Sequence, residues 1–212
     1  MKSLLPLLWT ALTLLALTAC EDNADDVDNS EFTYQWAERN AAYFAERMNE
    51  AAEAIAQARA EHGDAWADHC DWRIYRSYAK LPGGPLTDSI CVHITERGTG
   101  TATPLYTDSV RVNFTARLIP TTSYPEGKVV SYSGIYPTDD YVFSPDFSQP
   151  VSFAVSNLVE GYTTALLYMH VGDRCTVYMG QEMAYGTTSS GDVPAYSAMV
   201  FDIQLKGIYR KK

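Results

Sequence analysis

The residue pattern of this chain changes near residue 70, and that change restricts the possible folds more than any other feature. Residues 31 to about 62 are rich in Ala, Glu, Gln and Arg and end before Gly63, as a helix does. From Asp71 onward Tyr, Val, Ile and Thr are enriched, with Gly or Pro at the junctions, which is typical of strands and turns. The sequence therefore predicts a helical segment over residues 31–68, followed by a domain made mainly of strands.

The helical segment carries apolar residues about every three or four positions, which predicts one apolar stripe. The stripe consists of Phe32, Trp36, Tyr43, Met48, Ala51, Ile55 and Ala58. Docking of this stripe on the following domain is the favoured interpretation, and a homodimer formed through residues 31–62 is the alternative. Because no heptad repeat is sustained along the segment, a coiled coil is not predicted.

The second part of the chain contains several candidate strands and one candidate short helix. Apolar residues alternate with other residues at 90–94 and 110–114, and strands return at 175–179 and 198–208. Residues 157–169 instead have the spacing of a short helix. This order predicts the α+β class, with an antiparallel sheet wrapped on that helix, and leaves residues 69–93 as a lead-in region of strand and turn.

The start of the chain has the features of a bacterial lipoprotein signal. A short basic start precedes a leucine-rich run from Leu4 to Leu17 that carries no charge and falls short of the about 20 apolar residues that span a bilayer. The run ends in Leu17-Thr18-Ala19-Cys20, which resembles a lipobox. We expect residues 1–19 to be a signal peptide and Cys20 to carry the lipid; an ordinary cleaved signal is the alternative.

The residues that follow Cys20 are acidic, and they bear on location and partners. Residues 20–30 are too polar to fold alone, which predicts a tether. Acidic residues directly after the lipidated cysteine also resemble a surface-export signal, so the expected location is the outer membrane, facing the periplasm or the exterior. The whole chain has a formal net charge of -10. Nucleic acid and anionic lipid are therefore not expected partners.

Three cysteines lie beyond the proposed anchor, namely Cys70, Cys91 and Cys175. A Cys70–Cys91 disulfide is one alternative, but the sequence gives no distance between the two residues. His69-Cys70 and Cys91-Val92-His93 also offer metal-ligand atoms without zinc-finger spacing. Ordinary packing of these residues in a strand is the favoured interpretation, and no metal is predicted.

Three ordered segments of the region 94–212 carry a combined motif. The first is Val110-Arg111-Val112-Asn113-Phe114-Thr115. The second runs from Pro150-Val151-Ser152-Phe153 through Leu158-Val159-Glu160-Gly161-Tyr162 to Ala165-Leu166. The third runs from Met169-His170-Val171-Gly172-Asp173-Arg174 through Ala184-Tyr185-Gly186 and Val193-Pro194 to Val200-Phe201-Asp202-Ile203. In this order and spacing the segments resemble the FKBP-type peptidyl-prolyl isomerases.

The resemblance implies a curved antiparallel sheet of about five strands around one short helix, with a peptide pocket between sheet and helix. Turning an X-Pro bond breaks no covalent bond, although its barrier is about 18–20 kcal/mol. A dry aromatic pocket disfavours the charge-separated planar amide relative to the twisted one. No cofactor, nucleophile or metal is then needed.

The resemblance also assigns roles to individual residues. Tyr162 is the expected pocket floor, where the family usually has Trp, and the Tyr185 hydroxyl is the expected donor to the substrate carbonyl. Phe114 stands where the family usually has Tyr, and we group it with these two as the expected catalytic residues. The expected substrate-binding walls are Val130, Phe143, Val151, Phe153, Leu158, Val159, Val193 and Phe201.

Two departures from the family pattern concern the chemistry of the site. Phe114 lacks the hydroxyl of the usual Tyr. The family's Phe-Asp pair corresponds either to Val130-Ser131 or to Phe143-Ser144, and both alignments replace the Asp by Ser. The resemblance thus implies an isomerase that assists the folding of exported, proline-containing proteins. A prolyl-peptide binding module or chaperone with weakened catalysis is the alternative, and a glycan- or host-protein-binding surface lipoprotein is a third hypothesis.

Overall fold

The computed structural model describes residues 29–134 and 148–210. The predicted signal peptide, Cys20, most of the acidic tether and Phe143 lie outside the described residues. Within the two described ranges, no helix is both long enough and apolar enough to cross a membrane.

The long N-terminal helix, α1, spans Trp36–His62 and follows a 3-10 turn at Asn29–Phe32. Its last turn is closed by Gly63, which adopts φ +56° and donates its backbone N–H to the carbonyl of Arg59. A residue with a side chain adopts such a positive φ only at a cost, so the glycine ends the helix. A second 3-10 segment, Gly63–Asp68, then leads to the sheet.

The apolar stripe of α1 packs against the sheet, as the docking interpretation predicted. Five of its seven residues are buried, whereas Tyr43 and Ile55 are half-buried. The stripe also contains two residues that the sequence pattern missed, Asn40 and Phe44, both buried. A homodimer through this helix would have to use positions outside the buried stripe.

One antiparallel sheet contains all the strands of the described chain. In the order β1-β2-β6-β7-β3-β4, neighbouring strands are paired, and β5 pairs with β3. β4 and β5 pair with opposite ends of β3, so they share one position in the sheet. The sheet is therefore six strand positions wide, one more than the about five that the resemblance implied, and the additional strand is β1 from the predicted lead-in region. An antiparallel sheet combined with separate helices confirms the predicted α+β class. The strands are β1 Trp72–Arg76, β2 Ser89–Glu96, β3 Ser109–Arg117, β4 Val129–Tyr132, β5 Val151–Ala154, β6 Arg174–Met179 and β7 Met199–Tyr209.

The short helix, α2, spans Glu160–Leu166 inside the predicted range and is buried from Gly161 to Leu166. A Cβ atom on Gly161 would lie 2.6 Å from the sulfur of Met179 and 2.9 Å from the carbonyl oxygen of Met183. Only glycine therefore allows α2 to approach β6 so closely. The Thr163 hydroxyl donates to the carbonyl of Val155 at 2.8 Å, which satisfies a polar group that burial would otherwise leave unpaired.

The two helices cover opposite faces of the sheet, and strand β2 shows the consequence. Ile90 and Val92 share one face of β2 and Cys91 has the other, yet all three are buried. Helix α1 contacts β1, β2 and β6, while α2 contacts the same three strands. Because β2 is covered on both faces, its burial is continuous, and its alternating sequence does not correspond to one buried and one exposed face.

Candidate functional site

Four aromatic rings from four different elements meet between α2 and the sheet. The ring of Tyr162 on α2 lies 5.1 Å from that of Phe201 on β7 at an interplanar angle of 82°, and 6.3 Å from that of Phe114 on β3 at 84°. Phe114 in turn lies 5.7 Å from Phe153 on β5. The two contacts of Tyr162 are edge-to-face and place the positive ring edges against the negative faces, whereas Phe114 and Phe153 are tilted at 59°. We call Tyr162, Phe201, Phe114 and Phe153 the aromatic cluster.

Tyr162 is the most enclosed member of the aromatic cluster, with 2% of its surface exposed. Burial raises the pKa of its phenol above the ordinary value, and the charge of Asp202 adds to the shift. The phenol therefore stays neutral and acts only as a hydrogen-bonding group. Its hydroxyl is buried and has no hydrogen-bond partner among residues 29–134 and 148–210.

Tyr185 follows the 3-10 turn Gln181–Met183 and is half-exposed. Burial of part of its ring raises the pKa of the phenol, so the hydroxyl keeps its proton at neutral pH. Within the described parts of the chain, no ring contact joins Tyr185 to the aromatic cluster. The loop bends back behind it at Gly186, which adopts φ +71° and donates its N–H to the carbonyl of Gln181 at 2.9 Å.

The predicted wall residues lie on several elements of the domain. Val193 is buried, and its backbone N–H and carbonyl are hydrogen-bonded to Ser190 at 3.0 and 2.9 Å. Leu158 and Val159 directly precede α2, where the carbonyl of Val159 accepts the N–H of Thr163 at 3.0 Å. The half-buried walls that pack against the core are Val130, Val151, Phe153, Leu158 and Val159.

Strand β4 bears on the two alignments of the Phe-Asp pair. It pairs with the end of β3 that follows Phe114, with Ser131 opposite Ala116. Val130 thereby packs against the core beside β3, whereas Phe143 lies outside the described residues. Directly after β4, the buried hydroxyl of Ser133 accepts the backbone N–H of Phe114 at 2.8 Å. This contact was missed because a single serine in a turn carries no distinctive sequence signal.

The cysteines and histidines of the lead-in region are packed rather than joined. Cys70, Cys91 and Cys175 are free thiols, so the disulfide alternative is wrong. Burial raises the pKa of Cys91 and of Cys175 to about 12, and both stay protonated at neutral pH. The ring of His93 stacks on Trp72 at 4.7 Å. In the part of the chain that the structure describes, no group of His, Cys, Asp and Glu is arranged to hold a metal ion.

Contacts between α1 and the loop after β6 were also missed by the sequence analysis. The indole N–H of Trp36 donates to the hydroxyl of Ser197 at 3.0 Å, and the N–H of Ala198 donates to the side-chain carbonyl of Asn40 at 2.8 Å. Trp36 was placed in the apolar stripe, but the role of its N–H carries no sequence signal. Asn40 was overlooked because a polar residue does not register in an apolar pattern.

Comparison with known proteins gives several relatives. The chain is 28% identical over 130 residues to the "Macrophage infectivity potentiator" of Trypanosoma cruzi, a match that covers 61% of this chain and 55% of that protein. It is 30% identical over 131 residues to the "FKBP-type 22 kDa peptidyl-prolyl cis-trans isomerase" of Escherichia coli, covering 60% and 54%. The chain thus spans about half the length of these curated relatives.

A solved structure and a family profile also match. The crystal structure of FkpA from Escherichia coli has 22% sequence identity and a TM-score of 0.48, covering 84% of this chain and 73% of that chain. The family profile described as "FKBP-type peptidyl-prolyl cis-trans isomerase" matches residues 100–206, half of the 212 residues and all four members of the aromatic cluster. The chain belongs to the family of FKBP-type peptidyl-prolyl cis-trans isomerases.

Proposed function

We propose that this chain is a peptidyl-prolyl cis-trans isomerase that assists the folding of exported proteins. The single observation that carries the proposal is the aromatic cluster, four rings packed between α2 and the sheet inside the region that the family profile matches. An enclosed aromatic surface accepts a proline ring and excludes water. It thereby favours the less polar twisted amide over the planar one.

In this proposal the predicted site residues within the described ranges have distinct roles. Tyr162 is the floor under the proline ring, and Phe114 with Phe201 forms its aromatic sides. The neutral phenol of Tyr185, half-exposed on its loop, donates a hydrogen bond to the carbonyl of the substrate. Leu158 and Val159 present backbone groups to the extended peptide. The remaining walls are Val151, Phe153, Val193 and, on β4, Val130.

A second candidate function is supported by the polar groups that the site lacks. Phe114 has no hydroxyl, and Ser131 stands where one alignment has the family's Asp. Both changes remove hydrogen-bonding groups from the rim and keep the apolar surface. The chain would then hold prolyl peptides as a binding module or chaperone and turn them over slowly.

The rate of cis-to-trans relaxation of a proline test peptide distinguishes the two functions. For an isomerase, the rate rises in proportion to protein concentration and is suppressed by a macrolide inhibitor of the family. Binding of peptide or macrolide without acceleration supports the binding module. The variant Tyr162→Ala should lose both activities because it removes the floor. If the original chain neither binds nor accelerates, both functions are wrong.

We further propose that lipid on Cys20 tethers the domain to the outer membrane, facing the periplasm or the exterior. The lipobox-like Leu17-Thr18-Ala19-Cys20 and the acidic residues that follow support this location. Proline-containing exported proteins are then the clients within reach. Cells fed with labelled palmitate should incorporate the label into the original chain and not into the variant Cys20→Ser, and an original chain without label would contradict the anchor.

A further inference from the structure

The first two turns of α1 are hydrogen-bonded to the end of the loop that carries Tyr185. Trp36 donates from its indole to Ser197, and Asn40 accepts from the backbone of Ala198, with donor–acceptor distances of 3.0 and 2.8 Å. Both bonds are buried and join residues about 160 positions apart in sequence. Helix and loop therefore meet through directional polar contacts as well as through apolar packing.

The helix side of this contact is itself held firmly. The side-chain N–H of Asn40 donates to the backbone carbonyl of Trp36 at 2.7 Å. This bond orients the side-chain carbonyl of Asn40, which accepts the N–H of Ala198. The ring of Phe32 contacts Trp36 edge-to-face at 5.5 Å. Trp36 and Asn40 are buried, at 5% and 2% exposure. A buried polar group whose hydrogen bonds are all made has one preferred orientation.

The loop side connects this contact to the prolyl site. The hydroxyl of Ser197 donates a hydrogen bond to the carbonyl of Pro194 at 2.7 Å, next to the wall residue Val193. The backbone N–H of Tyr196 donates to the carbonyl of Gly186 at 3.0 Å, next to Tyr185. A displacement of Ser197 or Ala198 would therefore be transmitted to both site residues of the loop.

Backbone strain at Tyr196 indicates that the loop conformation is imposed from outside. This residue adopts φ +65°, a left-handed conformation that L residues with a side chain rarely adopt. Such a conformation persists only where surrounding contacts over-determine it. The two residues that follow Tyr196 are the two that α1 binds.

We propose that Trp36 and Asn40 are positioning residues of the prolyl site, through which α1 holds the loop of residues 184–198 in its substrate-binding geometry. This inference rests on the proposed prolyl-binding function. Neither residue touches the substrate; they act on Val193 and Tyr185 through the loop. The N-terminal helix is then part of the enzyme and not only a spacer.

The test uses the variants Trp36→Phe and Asn40→Ala in the full chain. Trp36→Phe keeps an aromatic ring in the core and removes the indole donor, so the helix stays docked. We expect kcat/KM for a proline peptide to fall by about five- to tenfold, because a misplacement of about 1 Å can cost up to about 100-fold. The part of the loss that acts through Val193 should appear in KM, since Val193 would contact ground state and transition state alike, and the part that acts through Tyr185 should lower kcat.

Amide hydrogen exchange provides a second measurement that does not depend on activity. In Asn40→Ala the backbone amide of Ala198 loses its acceptor, and we expect its exchange to accelerate at least about tenfold, with Tyr196 following. Exchange at Val92 in the buried strand β2 should rise only by as much as the loss of overall stability accounts for, and by less than exchange at Ala198. The control is Ala51→Gly, which weakens the buried stripe of α1 away from the loop and should leave both measurements at their original values once the chain is folded.

Each outcome bears on one proposal. Unchanged exchange at Tyr196 and Ala198, or a kcat/KM within about twofold of the Ala51→Gly control, would overturn the positioning role. If the original chain neither isomerises nor binds prolyl peptides, the proposed function fails. In that case the exchange data still decide whether α1 holds the loop.

Discussion

Helices α1 and α2 cover opposite faces of the same strands, but they do so in different ways. Six of the 27 residues of α1 are buried, whereas six of the seven residues of α2 are buried. A seven-residue helix is not stable alone in water, so α2 exists because the core surrounds it. Helix α1 has enough length and helix-forming residues to be a helix in its own right, and its contacts fix where it docks.

The two faces of the sheet make different kinds of contact. Beneath α2 the sheet presents the aromatic cluster, in which the contacts are ring edges and the Tyr162 hydroxyl is unpaired within the described residues. Beneath α1 the buried polar groups of Trp36 and Asn40 are paired with the loop. The face under α2 is thus suited to pack against a ligand, and the face under α1 is suited to hold the loop in position.

The largest expected effect comes from shortening a core side chain under each helix. Leu166 of α2 is completely buried, and Leu166→Ala should lower the free energy of unfolding by about 3–5 kcal/mol. Met48 of α1 lines a cavity of about 170 Å³ that opens on the surface, so its surroundings can relax. Met48→Ala should therefore cost about 2–3 kcal/mol. Urea unfolding measures the free energy of unfolding of both variants. A larger loss for Met48→Ala would mean that the core under α1 is packed at least as tightly as the core around α2.

A smaller effect is expected from two thiols that lie on opposite faces. Burial raises the pKa of Cys91, toward α1, and that of Cys175, on the other face, from 9.0 to about 12. The folded state therefore favours the protonated thiol. This stabilisation is fully present below pH 9 and is lost as the pH rises through the folded-state pKa. The stability lost by pH 11 is about 2–3 kcal/mol per thiol.

Replacing one thiol at a time by alanine tests this contribution. Each of Cys91→Ala and Cys175→Ala should reduce the slope of unfolding free energy against pH between pH 9 and 12, and by a similar amount. A reduction for only one of them would show that one helix excludes water better than the other. The folded protein should also resist a thiol-labelling reagent at pH 8, where unfolded protein reacts.

The sequence predicted the elements of the fold better than their burial. Helix α1, its glycine end and the position of α2 follow from local patterns, and they appear close to where they were expected. The burial of Cys91 does not follow from local patterns, because alternation in β2 cannot reveal that a second helix covers the other face of the strand. Pairing of β4 and β5 with one strand likewise depends on contacts distant in sequence.

Site residues divide in the same manner. The ring contacts of Tyr162, Phe114, Phe153 and Phe201 join residues that were named from an ordered family pattern. The attachment of the loop to α1 was not foreseen, because it depends on one indole N–H and one side-chain amide whose partners lie about 160 residues away. Apolar periodicity reports which face is buried and not which hydrogen bonds form there.

The smallest expected effect, and the sharpest for the comparison, is that of Tyr162→Phe. The change removes a buried hydroxyl for which the described residues provide no partner, so it relieves a desolvation cost and creates no new unpaired group. The free energy of unfolding should stay the same or rise by up to about 1 kcal/mol.

Asn40→Ala is the matched change on the other face, and it should lower the free energy of unfolding by about 1–3 kcal/mol because it leaves the amide of Ala198 unpaired. Urea unfolding of both variants, with peptide affinity measured alongside, separates two roles for the Tyr162 hydroxyl. Stability that is kept while affinity falls would make the substrate its hydrogen-bond partner. A loss of stability above about 1 kcal/mol would mean that the hydroxyl is already paired in the folded protein, and the contrast between the faces would then fail.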